Sequence, residues 1–332
     1  MIQNSTILIT GACGEMGFAL IDYLSKNRKL KIITIDLNTI SGSISEYIKQ
    51  QFIGSVLDDK LLKEVHNKYK ISKIYHLAAL LSSQASKNPK KAHDVNVNGM
   101  LKLINLAHKQ HEKYNQSIQF FFPSSIAVYG LHKEGGEGKK GKCIREDQFL
   151  FPQTMYGANK LYCEFLGNYY NGEKIDFRSI RFPGIISAHT LPTGGTTDYF
   201  PEMIHAAAQN KKYLCEVKND SKLPFMTMPD AIAAIILLMD ADNLSLTQRV
   251  YNIRAFAPTV DEFVIKIKKF YTAFEVKYQV NASKQHRINS WPEDVDDEKA
   301  KNDWNWSPQH DLERAFSHYL IKSIAKKYSN VS

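Results

Sequence analysis

The chain of 332 residues is poor in cysteine and has no long apolar segment. Its four cysteines, at positions 13, 143, 163 and 215, are too few and too widely spaced for a disulfide framework. No window approaches the roughly 18 apolar residues of a membrane span, so we expect no membrane partner. Met1–Ser5 lack the basic region and cleavage site of a secretory signal. We therefore expect a soluble, cytoplasmic protein; a mitochondrial matrix location would follow if a presequence had been removed.

The sequence also lacks the patterns of a metal site and of a nucleic-acid interface. His108 and His111 are close together, but they lie in a lysine-rich helical stretch and more simply form a solvated face. The net charge is +9, yet the lysines are scattered and form no basic stripe with interleaved aromatic residues. We therefore expect neither a metal nor a nucleic acid as a partner.

The first half of the chain alternates short apolar strands with helical patterns. Runs such as Ile118–Phe122 are almost continuously apolar, as in strands whose two sheet faces are both covered by helices. This alternation predicts an α/β fold of the Rossmann type, a doubly wound parallel sheet. The predicted strands are Thr6–Thr10, Lys31–Asp36, Lys73–Ala79, Ile118–Pro123 and Ile175–Arg181, and the predicted helices are Met16–Lys26, Asp59–Tyr69, Pro89–Lys113 and Tyr156–Tyr170.

After Arg181 the pattern becomes richer in loops. Two segments read as irregular, the breaker Leu191–Gly195 and the glycine- and lysine-rich surface loop Leu131–Cys143. We predict a larger Rossmann domain from residues 1–183 and 224–254, and a smaller, interleaved C-terminal substrate lobe from 184–223 and 255–332. The predicted elements of this half are a strand at Arg249–Ile253 and helices at Pro229–Asp240, Thr259–Tyr271 and Leu312–Lys327.

A glycine-rich turn, Gly11-Ala12-Cys13-Gly14-Glu15-Met16-Gly17, follows the first predicted strand and opens the first predicted helix. Such glycines permit a tight turn, close approach to a pyrophosphate and close helix–strand packing, and the helix N-terminus faces the phosphate charge. Alone, the turn could be an ordinary strand–helix connection. Asp36, however, ends the second predicted strand, where a carboxylate binds the adenosine ribose and repels a 2′-phosphate. The larger domain is therefore predicted to bind NAD in preference to NADP.

Tyr156 and Lys160 lie four residues apart at the start of a predicted helix, and hence on one face. Tyrosine, with a usual pKa of about 10, is a poor base at neutral pH, but an ammonium group and the nicotinamide ring would lower that pKa. Ser124 and Ser125 follow a predicted strand, at the edge where parallel sheets bind ligands. Each pattern alone has a simpler explanation, since this helix spacing is common and serines often cap turns.

Together these motifs resemble the extended short-chain dehydrogenase/reductase superfamily. The resemblance also rests on the segments His76–Ala79, Asn96–Gly99 and Arg181–Gly184. It implies catalysis by Ser125, Tyr156 and Lys160. The cofactor-binding residues that the turn and the resemblance together predict are Gly11, Cys13, Gly14, Glu15, Met16, Gly17, Asp36, Val56, Leu77, Ala78, Ala79, Asn96, Tyr156, Lys160 and Pro183.

More specific segments are similar to the L-threonine 3-dehydrogenases of the short-chain type, above all the run from Gly194 to Tyr199. This resemblance implies an enzyme without a metal, and a homodimer, that uses NAD to oxidise L-threonine at its Cβ hydroxyl to 2-amino-3-oxobutanoate. Trp291 would seal the pocket, and Asp198 is expected to balance charge, to cap a helix predicted at Tyr199–Gln209, or to do both. The implied substrate-binding residues are Ser82, Ser124, Ser125, Tyr156, Gly195, Thr196, Thr197, Asp198 and Trp291.

Two other functions remain open at this stage. A nucleotide-sugar epimerase or dehydratase shares the glycine turn and the tyrosine–lysine pair, but needs a larger second lobe and leaves the cofactor without net turnover. A non-catalytic NAD-binding sensor is the other alternative, although such proteins typically lose the tyrosine or the lysine, and this chain has both.

Overall fold

The computed structural model describes residues 6–27, 30–131, 143–190 and 195–329. Its strands in chain order are β1 (Thr6–Thr10), β2 (Lys31–Asp36), β3 (Ile48–Ile53), β4 (Ile71–His76), β5 (Ile118–Ser125), β6 (Cys143–Ile144), β7 (Ile175–Phe182), β8 (Gly184–Ile186), β9 (Tyr213–Cys215), β10 (Phe225–Thr227), β11 (Val250–Asn252), β12 (Val276–Tyr278) and β13 (Asp294–Val295).

Seven of these strands form one parallel sheet in the order β3-β2-β1-β4-β5-β7-β11. The chain builds outward from β1 to β3 on one side and then crosses to β4 on the other. This reversal opens a crevice at the carboxyl ends of β1 and β4. The predicted Rossmann-type α/β fold is thereby confirmed. Three small parallel pairs, β8 with β10, β9 with β12 and β6 with β13, lie outside this sheet.

Helices cover both faces of the sheet. All of β1 and all of β7 are buried, which explains their continuous apolar character. The helices in the described residues are α1 (Glu15–Asn27), α2 (Asp59–Lys68), α3 (Ser82–Lys87), α4 (Pro89–His93), α5 (Gly99–Tyr114), α6 (Met155–Tyr170), α7 (Tyr199–Ala208), α8 (Met228–Asp240), α9 (Val260–Phe270), α10 (Ala282–Asn289), α11 (Glu298–Trp304), α12 (Leu312–Arg314) and α13 (Ile321–Ser329). Helices α1 and α8 pack together on one face, and α2, α5 and α6 lie on the other.

A separate apolar core lies beyond the sheet and is rich in phenylalanine. The Phe200 ring stacks on Phe263 with centroids 3.9 Å apart and on Phe225 at 4.3 Å. The same cluster takes in Tyr129 from the first half of the chain, so this core is built from both halves of the sequence. Trp304, by contrast, packs with the core under α1 and α8 although it follows residue 255. The division into two domains stays a prediction.

Several elements differ from their predicted bounds. Strand β3 was not predicted, because its sequence Ile-Lys-Gln-Gln-Phe-Ile carries more polar residues than the central strands. β4 ends at His76, three residues before its predicted end at Ala79. The helix predicted at Pro89–Lys113 contains a π-helical turn, Asp94–Asn98. Apart from residues 131, 143 and 195, the predicted loop Leu131–Cys143 and breaker Leu191–Gly195 lie outside the described residues.

Candidate active site

A cleft of about 690 Å³ opens at the carboxyl ends of β1, β4, β5 and β7, where the strand order reverses. The sequence-predicted residues that line it are Gly11, Cys13, Gly14, Glu15, Met16, Gly17, Leu77, Ala79, Ser82, Ser124, Ser125, Tyr156, Lys160, Pro183, Gly195, Thr196, Thr197, Asp198 and Trp291. The fold therefore brings the proposed cofactor, proton-transfer and substrate residues to one place.

The glycine turn forms one end of this cleft and fits a dinucleotide pyrophosphate. Gly11 has a φ of +69°, and a Cβ there would lie 2.5 Å from the Ala78 nitrogen, so a side chain is excluded by both conformation and space. The first turn of α1, from Glu15, also lines the cleft. The positive end of a helix dipole is thus presented to the cleft beside a glycine that carries no side chain.

Asp36 holds this turn from the end of β2. One carboxylate oxygen accepts a hydrogen bond from the Cys13 backbone NH at 2.9 Å, and the other accepts from the Asn38 NH at 3.0 Å. A carboxylate has about four acceptor positions, so it can still accept from ribose hydroxyls. Burial and the neighbouring Asp36 raise the pKa of the Cys13 thiol to about 11, which keeps the thiol uncharged beside the pyrophosphate position.

Helix α6 places Tyr156 and Lys160 at the cleft. The Thr154 side chain caps the helix by accepting from the Gly157 NH at 3.0 Å. A Cβ on Gly157 would lie 2.0 Å from the carbonyl oxygen of Ala127, so the glycine permits α6 to touch the 3₁₀ turn that follows Ser125. The Ser125 hydroxyl accepts from the Ala127 NH at 3.2 Å, which uses a lone pair and not its proton. This close approach sets Ser125 beside the first turn of α6.

The electrostatics of the pair differ from the sequence expectation. Burial raises the pKa of Tyr156 above its usual value, whereas a lowered value was expected from Lys160. Burial also lowers the pKa of Lys160, to about 8. Its ammonium donates to the Pro123 carbonyl at 2.6 Å and lies 5.5 Å from the centroid of the Tyr156 ring. In the protein chain by itself, loss of hydration therefore outweighs the attraction of the lysine for a phenolate.

Another part of the cleft lining comes from α3 and the segment before α7. The Thr196 hydroxyl donates to the Ser82 hydroxyl at 3.5 Å, which joins residues 114 positions apart. The Asp198 carboxylate accepts from the Gly195 NH at 2.6 Å. Asp198 is the residue before α7, but its side chain makes no cap hydrogen bond to that helix. The carboxylate therefore folds its own loop and does not cap the helix, one of the two roles considered for it.

Trp291 lines the cleft from the segment that follows α10. The side chain is only 5% exposed, and its indole NH has no hydrogen-bond partner among the described residues. A buried donor without a partner is costly, by roughly 1–3 kcal/mol. An acceptor on a bound ligand would remove that cost.

Four predicted residues lie outside the lining of the cleft: Asp36, Val56, Ala78 and Asn96. Asn96, in the π-helical turn, accepts from the Leu80 NH at 2.8 Å and donates to the Leu80 carbonyl at 3.1 Å, so it fixes the backbone that borders the cleft. Val56 is a buried core side chain facing Gly99. Roles for these residues in cofactor binding stay predictions.

Ser124 has a different partner from the one expected. It borders the cleft, but it is 2% exposed and its hydroxyl donates to the carboxylate of Glu164 inside the protein. Because strand residues alternate between the two faces of a sheet, Ser124 and Ser125 point in opposite directions. Of the two, Ser125 is the better placed to meet a substrate oxygen.

Sequence reasoning missed the contribution of the last helix. Lys327 of α13 lines the cleft and donates to the His189 carbonyl at 2.8 Å. The pKa of Glu15 on the glycine turn is raised, mainly by burial and also by the charge of Asp198, while a hydrogen bond with Thr190 and the charge of Lys327 partly offset this rise. No motif marked Lys327, because a single lysine in an amphipathic terminal helix looks like any solvated residue.

Within the described parts of the chain, no group of three or more His, Cys, Asp or Glu residues is arranged to hold a metal ion. Nor does any helix in those parts have the length and apolar character needed to cross a membrane.

Comparison with known proteins bears on this site. A family model described as GDP-mannose 4,6 dehydratase matches residues 8–318. The chain is 33% identical over 313 residues to the mitochondrial L-threonine 3-dehydrogenase of Bos taurus, covering 93% of this chain and 80% of the bovine protein. It is also 33% identical over 334 residues to an uncharacterized epimerase/dehydratase of Staphylococcus haemolyticus, covering 98% of this chain and 99% of that protein.

Solved structures give the same result. The L-threonine 3-dehydrogenase of Trypanosoma brucei superposes with a TM-score of 0.86 at 34% identity, covering 97% of this chain and 98% of that one. A monomeric L-threonine 3-dehydrogenase from a metagenome gives a TM-score of 0.85 at 33% identity, covering 96% and 98%. The chain therefore belongs to the GDP-mannose 4,6-dehydratase family of extended short-chain dehydrogenases/reductases, as its motifs predict, and its similarity to L-threonine 3-dehydrogenases over most of its length makes it an oxidoreductase.

Proposed function

We propose that this protein uses NAD to oxidise L-threonine at its Cβ hydroxyl, giving 2-amino-3-oxobutanoate. The observation that carries the proposal is the convergence, in one cleft, of the glycine turn, Ser125, Tyr156 and the joined pair Ser82–Thr196. The names of the similar dehydrogenases support the same activity.

Enzymes of this family generally use NAD or NADP, and Asp36 favours NAD. Its carboxylate is fixed by the Cys13 and Asn38 backbone NH groups, so it would meet a 2′-phosphate as an immobile negative charge. Gly11, Gly14 and the first turn of α1 would hold the pyrophosphate, and Lys160 the nicotinamide ribose. When bound, NAD accepts the hydride that leaves Cβ.

Tyr156 receives the proton of the substrate hydroxyl, and Ser125 donates a hydrogen bond that holds the same oxygen. Because burial raises the pKa of Tyr156, the phenol keeps its own proton until positive charge is added beside it. Lys160 already lies beside the ring, so the added charge would be that of the oxidised nicotinamide; the phenol would then lose its proton to solvent and, as phenolate, take the substrate proton. Proton removal is thereby confined to the state in which the site is filled.

The amino acid part of the substrate would bind where α3 and the segment before α7 line the cleft. Ser82, Thr196 and Thr197 offer short hydroxyl side chains, and Trp291 adds an aromatic wall to the same cleft. Short hydroxyl side chains can hydrogen-bond the ammonium and carboxylate groups of a small zwitterion. A nucleotide sugar needs more space and more extended contacts.

Turnover assays test the proposal. The purified protein is incubated with NAD and, in turn, L-threonine, L-allo-threonine, L-serine or UDP-galactose, and NADH is measured. We expect NADH with L-threonine and none with Tyr156→Phe. Conversion of UDP-galactose without NADH would replace the proposal with an epimerase, and NAD binding with no turnover of any of these compounds would favour a sensor.

We further propose that the protein forms a homodimer through α6, although one similar enzyme is described as monomeric. Tyr162, Phe165 and Tyr169 are 49%, 57% and 79% exposed and share one face of that helix at three- and four-residue spacing. Sedimentation should give twice the 37.9 kDa of one chain, and Phe165→Glu should give the single-chain mass. A wild-type monomer would contradict this. The cytoplasmic location stays a prediction.

A further inference from the structure

Beneath the cleft lies a buried polar cluster whose centre is Glu164. Arg181 of β7 donates from Nε at 2.8 Å and from Nη2 at 2.6 Å to the two carboxylate oxygens. The Ser124 hydroxyl donates to the same carboxylate. Arg181 also donates to the Tyr129 hydroxyl at 2.8 Å and to the Glu146 carbonyl at 2.7 Å. The Glu164 carboxylate thus joins the ends of β5 and β7 to α6, the helix that carries Tyr156 and Lys160.

Burying the Glu164–Arg181 ion pair costs free energy, because both charged groups lose their hydration. Glu164 and Arg181 are 2% and 3% exposed, and a buried ion pair is often no more stabilising than apolar residues of the same size. Ser124 and Arg181 belong to the ends of β5 and β7, next to the cleft, and Glu164 joins them there. Because a buried ion pair adds little stability, stability alone does not explain the Glu164–Arg181 pair.

Glu164 lies one helical turn after Lys160, on the same face of α6. The other titratable groups around Lys160 come from α6 and β4. Burial raises the pKa of Cys163 to about 12 and lowers that of His76 to about 3, so both are uncharged near neutral pH. Tyr156 is uncharged as well while its pKa is raised. Cys163 and Glu164 both oppose the effect of burial on the Lys160 pKa, and Glu164, four residues away on the same helix face, is the carboxylate of the two.

We propose that Glu164 is a positioning residue that binds the Ser124 hydroxyl, holds the end of β5, and keeps the buried Lys160 ammonium charged in the working pH range. Arg181, on the far side of the carboxylate, orients it with a two-point contact. The inference rests on the proposed function, because Lys160 has a task in proton transfer only there.

A direct measurement of Lys160 ionisation tests this without relying on turnover. Isotope-labelled lysine side chains are titrated by NMR in the cofactor-free protein, and the Lys160 signal is assigned by its loss in Lys160→Met. We expect a midpoint near 8 in the wild type and a lower midpoint in Glu164→Gln, since the amide keeps the shape but loses the charge. Glu173→Gln, which removes a carboxylate from an exposed turn, is the matched control and should leave the midpoint unchanged.

Glu164→Gln leaves Arg181 buried without its partner and could prevent folding. The double variant Glu164→Gln/Arg181→Met removes both charges and should also lower the Lys160 midpoint. In turnover assays the high-pH limb of kcat/KM should move to lower pH in the folded variants, because active enzyme needs the ammonium form. Ser124→Ala, which keeps the carboxylate, should lower kcat and leave that limb in place.

A Lys160 midpoint indistinguishable from that of the wild type in both Glu164 variants would overturn the inference, whatever the activity. If instead the midpoint moves but the wild type oxidises no L-threonine, the electrostatic coupling holds and the proposed substrate fails. A fall in kcat with no shift of the midpoint would leave Glu164 a purely structural residue, which also refutes the proposal.

Discussion

Replacing Gly157 with alanine should disable the site while the protein stays folded. The new Cβ would lie 2.0 Å from the Ala127 carbonyl oxygen, whereas ordinary carbon–oxygen contacts begin at about 3.3 Å. The atom in the way belongs to the backbone, so α6 or the 3₁₀ turn after Ser125 must move by roughly 1 Å. Tyr156 and Lys160 move with the helix, and Ser125 moves with the turn.

The substitution should change the stability and the activity of the protein by different amounts. Overpacking costs about 1–3 kcal/mol of stability, and replacing glycine by alanine in a helix returns up to about 1 kcal/mol. A misplacement of about 1 Å at a reacting centre can lower the rate on the order of 100-fold, or about 2.7 kcal/mol in kcat/KM. We therefore expect activity to fall much further than stability.

The assay combines urea unfolding with NADH formation from L-threonine. The matched control is Gly172→Ala, because a Cβ at Gly172 would have no atom within 4 Å. That variant should keep both stability and activity. A Gly157→Ala protein with wild-type kcat/KM would show that the contact between α6 and the turn does not set the geometry of the site.

Three further predictions follow from single contacts. Thr154→Ala removes the side-chain cap of α6 and should lower the free energy of unfolding by about 1 kcal/mol, measured with urea; no loss would mean that the cap is replaced by water. Trp291→Phe should raise KM for L-threonine roughly 10-fold and leave the NAD dissociation constant unchanged, and an equal effect on NAD would place the indole elsewhere. Burial holds the pKa of Lys160 at about 8, below its usual 10.5, so the unfolded chain binds the extra proton between these values and wild-type stability rises with pH there. Lys160→Met, unfolded at pH 7 and at higher pH, should lose its stability advantage over the wild type as pH rises; a constant difference would contradict the assignment.

The sequence predicted the sheet and the cleft because both depend on local rules. Strand–helix alternation and the spacing of Gly11, Gly14 and Gly17 can each be seen in a short segment of the sequence. Strand β3 was missed because an outer strand carries polar residues such as Lys49 and Gln50, so its pattern is weak. Ser124 was assigned to the substrate because the alternation of side chains at a strand end cannot be fixed until the end of the strand is known.

Long-range contacts were the least predictable. Glu164 meets Arg181 across two elements, and neither residue stands out by position in the sequence. Thr196 and Ser82 were each predicted as substrate contacts, but their pairing is a property of the folded chain. Neither pKa direction at Tyr156 and Lys160 follows from spacing, because both depend on the depth of burial.

The contact of Lys327 with His189 has a consequence for the order of events in folding and binding. The cleft begins at Gly11 and is finished by a residue of the last helix, so a nascent chain cannot complete it until α13 has emerged and docked. A ligand that fills the cleft lies between residues as distant in sequence as Gly11 and Lys327 and would suppress local opening of α13. Amide hydrogen exchange in α13 would then report whether a ligand occupies a cleft whose glycine turn lies more than 300 residues earlier in the sequence.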